Sequence, residues 1–306
     1  MNIVVIGAGG VGGYFGGKLS KAGFDVTFVV RGKHFETIKN NGLLIKSILG
    51  DFVVHPKVTN SIQDIKKPDL VILGIKSWQV KEIAQQLKTV ITKETMVLPL
   101  QNGADNADKL LSVLPKENVL AGLCKIVSKV ELPGVINHFA FEPEIVFAEY
   151  NSMDTVRIKE VKTVFDKAGF KNTISEDIQL DIWRKFLFIT MVSGIGAITR
   201  VIYKYLQQNE EIKQIIWQTG EDVVAVANAK GIQLKKQDIE FSMLAFNNSD
   251  PNTTASMQRD MMEGKPSELE NFNGYIVNEG RRLNIPTPTN AFIYYCLLPQ
   301  ETMARS

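Results

Sequence analysis

The sequence predicts an α/β domain with a doubly wound, mostly parallel sheet over residues 1–174, followed by an all-α domain over residues 175–306. Three observations predict it. The first half alternates short apolar runs with helical patterns, as a parallel sheet with helices on both faces requires. A glycine-rich turn, GAGGVGG, joins the first apolar run to the first helical pattern. From about Ser175 the alternation stops and apolar residues recur at helical spacing. A chain of 306 residues also exceeds one compact core, so two domains are expected.

Taken in order, Asn2–Ile6 reads as a buried parallel strand and 11–22 as the helix that follows. DVTFVV (25–30) is the next strand. Segments 43–46 and 52–55 flank Gly50-Asp51 and read as a hairpin inserted into the sheet. LVILGI (70–75), bounded by Pro68-Asp69, is a strand, 78–87 a helix, and 96–100 a strand ended by Gln101-Asn102-Gly103. A helix over 104–114 and a strand over 118–126 come next. Segments 134–139 and 144–148 read as antiparallel strands, with turns at Pro133-Gly134 and Pro143. Helix 155–168 leads through Gly169 to a short strand near Lys171–Ile174. Helices are then predicted over 177–194, 210–230 (closed by Gly231), 235–247, 256–264, 269–283 and 287–298. No internal repeat or low-complexity tract interrupts them.

Gly7, Gly9 and Gly12 spell G-x-G-x-x-G directly after a strand and into a helix, the setting in which that spacing marks a dinucleotide site of Rossmann type. Gly7 permits the tight turn, Gly9 lets the backbone approach a pyrophosphate, and Gly12 lets helix and strand pack closely. Gly10 and Val11 open the helix, whose unpaired N–H groups and positive end favour the phosphates. An unphosphorylated NAD site places an acidic residue at the end of the second strand. Here that position is Arg31, followed by Gly32 and Lys33. A guanidinium pairs with a 2′-phosphate where a carboxylate would repel it, so the expected cofactor is NADPH.

Composition narrows the partners. A net charge of +2 with scattered lysines argues against nucleic acid. No stretch reads as a membrane span, and the initial apolar run lacks the basic flank of a signal peptide. Cys124 and Cys296 are expected to be reduced thiols in a cytoplasmic protein. His34, His55 and His138 show no metal spacing, and His138 is the one nearest a plausible site.

Ligands of open α/β sheets bind beyond the carboxyl ends of the strands. Lys76 follows LVILGI there, and Asn102 follows MVLPLQ. A lysine can hold a carboxylate or polarise an oxygen, and an amide can bond a ribose or substrate. In the helical half, Lys185 lies in the largely apolar DIWRKFLFI, with Arg184 on another face, and Glu268 lies in GKPSELENFNG.

The whole chain resembles the ketopantoate reductases (2-dehydropantoate 2-reductases), NADPH enzymes of pantothenate biosynthesis. The resemblance rests on the glycine turn, Arg31, the IKSWQ and QNG motifs, DIWRK, and SMQRDMMEGKPSELENFNG. It implies that Lys185 is the catalytic lysine, donating a proton to the ketone oxygen as hydride reaches the carbon. It implies that Lys76 and Asn102 lie near nicotinamide and substrate, that Ser256 holds the substrate carboxylate, and that Glu268 engages Lys185 or a substrate hydroxyl. The expected reaction is reduction of a 2-oxo acid, 2-dehydropantoate foremost, to the 2-hydroxy acid. One departure stands out. Where the family places asparagines one and two turns beyond the lysine, this chain has Ile189 and Ser193. Another ketone or imine therefore stays open as substrate, and a non-catalytic NADPH-binding sensor is the reading from a different class. No metal is expected. A homodimer is, because symmetric dimers are the commonest assemblies.

Overall fold

The computed structural model describes residues 1–306. The chain divides into two compact units, Met1–Ile178 and Gln179–Ser306.

The first unit begins with β1 (Asn2–Ile6), α1 (Gly10–Lys21), β2 (Asp25–Val29), α2 (Gly32–Asn41), β3 (Leu43–Ser47), β4 (Phe52–Val54) and β5 (Lys57–Thr59). It continues with β6 (Leu70–Leu73), α3 (Val80–Leu87), β7 (Met96–Pro99), α4 (Asn106–Leu111), β8 (Leu120–Leu132), β9 (Val135–Glu149), α5 (Val156–Ala168) and β10 (Lys171–Ile174). Two five-stranded sheets result. The first runs β5-β2-β1-β6-β7, with parallel pairs throughout. β6 and β7 are buried along their whole length, which is why their sequences read as unbroken apolar runs. α1 carries Tyr14, Phe15 and Leu19 into the core, where Phe15 meets Phe170 edge-on at 5.0 Å. Thr155 caps α5 by accepting from Ile158 N–H, and Gly169 ends it at φ 69°.

The second sheet departs from the sequence reading. The β3–β4 hairpin is not an insertion into the first sheet. β3 pairs parallel with β9, giving the order β10-β9-β3-β4, with β8 antiparallel to β9 on the other path. β9 is one strand of 15 residues, not two strands broken at Pro143. Its partner β3 stops at His138 and β10 starts at Glu144, while the β8 register skips from Ala140 to Glu144. Pro143 lies in that gap, so its missing N–H removes no ladder bond. Phe141, at φ 62°, bends the strand in the same place. The turn at Pro133-Gly134 is as expected, with Gly134 at φ 76°.

The second unit is helical. α6 (Ile178–Thr199), α7 (Tyr203–Gln207), α8 (Glu210–Ala229), α9 (Lys236–Asn247), α10 (Ser256–Met262), α11 (Asn273–Leu283) and α12 (Pro288–Arg305) follow in turn. Residues 269–271 form a separate 3-10 turn rather than the start of α11. α12 continues through Pro299, which sits on its exposed side where water can satisfy the freed carbonyl. α6 also corrects the expectation that no stretch is apolar enough to span a membrane. By length and composition it is, yet 67% of its apolar window is buried inside the protein. A buried polar network ties α8, α11 and α12 together. Asp222 accepts from Asn290 N–H at 2.9 Å, and Asn290 bonds Thr219 C=O at 3.0 Å and Asn273 at 2.9 Å.

Candidate active site

The glycine turn shows which glycines the fold needs and which leave room. Gly7 adopts φ 90°, and a Cβ on it would lie 2.9 Å from Gly74 O. A Cβ on Gly12 would lie 2.0 Å from Gly7 O, so only glycine lets α1 close onto the turn. Gly10 packs against the hairpin, where a Cβ would sit 2.5 Å from Ser128 O. Gly9 differs. Its Cβ would meet only Gly74 O, at an ordinary 3.6 Å. No packing demand explains that glycine, whereas close approach of a phosphate does. The first helical bond runs from Gly13 N–H to Gly9 O at 2.7 Å, leaving the N–H groups of Gly10, Val11 and Gly12 without intrahelical acceptors. Ser128 Oγ, beside Gly10, is buried with no hydrogen-bond partner. A row of unpaired donors and an orphaned hydroxyl around a bare Gly9 fit a pyrophosphate.

At the end of β2, Arg31 is exposed and N-caps α2, whose first turn carries no acidic residue. Arg31, Ala8, Gly9, His34 and Val130–Pro133 of the β8–β9 hairpin border a cavity of about 410 Å³. One carboxylate, Glu131, shares that wall. It is held by Lys46 at 2.5 Å and Asn137 at 2.7 Å, and those bonds keep its carboxyl below the usual range. The sequence reading missed Glu131, Ser128 and His34. The chain neighbours of Glu131 and Ser128 carry no motif, and only the long hairpin brings them to the glycine turn; His34 follows Arg31 by three residues, but its bonds to Ala8 and Gly134 depend on distant segments.

Lys76 and Asn102 sit on adjacent loops beyond β6 and β7. Lys76 Nζ lies 5.7 Å from the Trp78 ring centroid. The two loops are joined beneath by a buried bracket that the sequence did not reveal. Ser77 Oγ donates to Asn106 Oδ1 at 2.5 Å, and Asn106 Nδ2 donates to Gln101 O at 3.2 Å and Asn102 O at 3.1 Å. Lys109 Nζ adds a bond to Ser77 Oγ at 3.1 Å while paired with Asp105 at 2.9 Å. Gln101 Nε2 donates to Leu73 O at 2.9 Å, tying the same loop to β6.

In the helical unit, Arg184 is spent on Asp238 at 2.9 Å, whereas Lys185 is half-buried on another face of α6. Glu268 is 6% exposed, and its carbonyl accepts from Phe272 N–H. Phe272 packs on Phe186 with centroids 6.4 Å apart, so the Glu268 turn lies against the stretch of α6 that carries Lys185. Neither Lys185 nor Glu268 lacks an interaction partner. Ile189 is half-buried one turn on, and Ser193 is buried two turns on. Ser256 begins α10 and is exposed. Asn273, in the stretch that ends SELENFNG, is fully buried against Gly194, and its Nδ2 donates to Asn290 Oδ1 at 2.9 Å. His138 is structural, bonded to Ser47 at 2.8 Å and Phe141 O at 2.8 Å. No group of three or more His, Cys, Asp or Glu residues could hold a metal ion.

A parallel α/β unit with this turn, followed by an all-helical unit, defines a two-part oxidoreductase fold. Residues 3–152 match the family described as Ketopantoate reductase PanE/ApbA, and residues 177–301 match its C-terminal part. The chain belongs to the ketopantoate reductase family, whose members are NAD(P)-dependent oxidoreductases. Among its relatives, the uncharacterized oxidoreductase YkpB of Bacillus subtilis is 31% identical over 96% of this chain and 97% of that one. The 2-dehydropantoate 2-reductase of Pyrococcus horikoshii is 28% identical, covering 99% and 98%. A ketopantoate reductase structure from Ralstonia eutropha JMP134 superimposes over all of both chains with a TM-score of 0.92 at 28% identity. D-mandelate dehydrogenase, solved with NADH and anilino(oxo)acetate, shares the fold with a TM-score of 0.92 at 22% identity.

Proposed function

We propose that this protein reduces a 2-oxo acid to the 2-hydroxy acid with NADPH, and that 2-dehydropantoate is the substrate, yielding pantoate for pantothenate biosynthesis. The observation that carries the reading is Arg31, capping a helix without acidic residues in its first turn, on the cavity that opens beside the bare Gly9. NADPH, when bound, supplies a hydride to the carbonyl carbon. Gly7, Gly9, Gly10, Val11 and Gly12 hold its pyrophosphate, Arg31 its 2′-phosphate, and Lys76 and Asn102 the nicotinamide end and the substrate. The ammonium of Lys185 stabilises the charge that builds on the ketone oxygen and then protonates it. Glu268 orients that lysine or a substrate hydroxyl, and Ser256 and Ser193 bond the substrate's polar ends. The enzyme works as a cytoplasmic homodimer on a small acid, with no nucleic-acid or membrane partner; the free thiols Cys124 and Cys296 suit a reducing compartment.

A second reading has its own observation. Ile189 presents a hydrocarbon wall where an amide would bond a hydroxyl, and a wall of that kind discriminates poorly in favour of a hydroxylated substrate. It suits an apolar 2-oxo acid, as does the fold's use in D-mandelate dehydrogenase. Loss of reduced-nicotinamide absorbance against a panel of 2-oxo acids decides. A highest kcat/KM for 2-dehydropantoate supports the first reading, a preference for aryl or branched apolar acids supports the second, and no turnover with any of them refutes both.

A further inference from the structure

We infer that His34 is a positioning residue that latches the β8–β9 hairpin to the glycine turn and so sets the width of the adenosine end of the dinucleotide pocket. The inference rests on the proposal that a dinucleotide binds here. His34 bridges two backbone groups far apart in sequence. Gly134 N–H donates to Nδ1 at 2.8 Å, and Nε2 bonds Ala8 O at 2.8 Å. An amide N–H can only donate and a carbonyl can only accept, so Nδ1 is bare and Nε2 carries the proton. Both bonds exist only in that one neutral tautomer. Burial pushes the imidazole below its ordinary pKa, against the opposing pull of Ala8 O, and so favours the neutral form.

What the latch joins gives it its role. Ala8 lies between Gly7 and Gly9, and Gly134 closes the hairpin turn after Pro133. The cavity beside Arg31 lies between those two walls. The hairpin's own ladder is irregular along that wall. Its ladder shifts register between Val127 and Ser128 and again between Val130 and Leu132, where Glu131 is skipped. Leu132 is 60% exposed, and besides His34 the turn is tied by Leu44 N–H, which donates to Gly134 O at 2.9 Å. A pre-set wall spares the ligand the cost of ordering it. His34 itself needs no contact with substrate or nicotinamide.

The test compares wild type, His34→Phe and His34→Gln. Phenylalanine keeps the ring and loses both bonds, whereas glutamine offers one donor and one acceptor across a similar span. Binding is measured by calorimetry with NADPH, with adenosine 2′,5′-bisphosphate for the adenosine end, and with reduced nicotinamide mononucleotide for the other end. His34→Phe is expected to weaken the first two by roughly tenfold. Reduced nicotinamide mononucleotide binding and kcat at saturating NADPH stay unchanged, and His34→Gln recovers most of the loss. Unchanged NADPH affinity in His34→Phe overturns the latch, as does an equal loss for both half-ligands, which would mark general loosening. If His34→Phe does not fold, His34→Asn, whose amide is too short to span both partners, must show the same split. Wild type that binds no dinucleotide refutes the cofactor reading itself, a result distinct from wild-type binding that His34 does not influence.

Discussion

Replacing Asn106 with alanine removes the centre of the bracket under the Lys76 and Asn102 loops. Its bonds to Gln101 O and Asn102 O are lost, as is the short bond from Ser77 Oγ. Asn106 is 6% exposed, so water does not readily replace them. At about 1 kcal/mol net per bond, with carbonyls and a hydroxyl left poorly satisfied, the loss is about 3 kcal/mol. Ser77→Ala removes one of those bonds and the contact from Lys109, so it costs about 2 kcal/mol, of which about half is already lost once Asn106 is gone. Urea unfolding at equilibrium measures both: the midpoint should fall with the slope retained, and the double variant should fall about 1 kcal/mol short of the sum of the singles. Because the bracket fixes two loops assigned to the nicotinamide end, KM should rise in the same order. Full additivity of the two substitutions, or an Asn106→Ala midpoint within error of wild type, would refute the idea of one coupled bracket.

Three further outcomes follow from other contacts. Arg31→Asp should weaken NADPH binding far more than NADH binding, and equal losses in a direct titration would count against the 2′-phosphate assignment. Lys185→Ala should lower turnover on the order of 100-fold while leaving the NADPH dissociation constant unchanged, with surviving activity removing the lysine from its proton-donor role. Glu149 is buried and held by Arg157 through two bonds, at 2.7 and 2.5 Å. Burial raises its pKa, but the bonds from Arg157 and Thr155 outweigh burial and leave it below the ordinary value of 4.5. That depression adds stability above 4.5 that disappears as the pH falls through the folded value. Arg157→Met should therefore cost about 3 kcal/mol at neutral pH, by stranding a buried carboxylate, and should flatten the acid limb of the melting-temperature profile.

Four strands of the first sheet were readable because their signals are local; the short edge strand Lys57–Thr59 was not. An apolar run such as LVIL can be a buried strand wherever its neighbours lie; Gly7 is required by its own φ of 90°, and Gly12 by Gly7 O of the same βαβ unit. The second sheet was not readable to the same degree. Leu43–Ser47 shows its strand pattern plainly, but its parallel partner is Val135–His138, and no pattern in either segment names the other. Pro143 reads locally as a break, and only the three-strand register shows that its missing N–H falls where no partner waits. The candidate site divides in the same way. Arg31, Lys76, Asn102 and Lys185 follow recognisable strand ends or motifs. His34, Ser128, Glu131 and the Ser77–Asn106 bracket depend on approaches between distant segments, for which the sequence carries no period or spacing.

The pairing of β3 with β9 also bears on how the chain emerges during synthesis. The first sheet has all its strands once Pro99 has appeared. β3 and β4 are made early, yet β3 must wait for β9, whose first paired residue is Val135. Through that interval the β3 edge, with Leu43 and Ile45 destined for full burial, offers unpaired backbone and apolar side chains to any neighbour. Nascent chains stalled before β9 should be the aggregation-prone species, and chaperone dependence should end once the hairpin is complete.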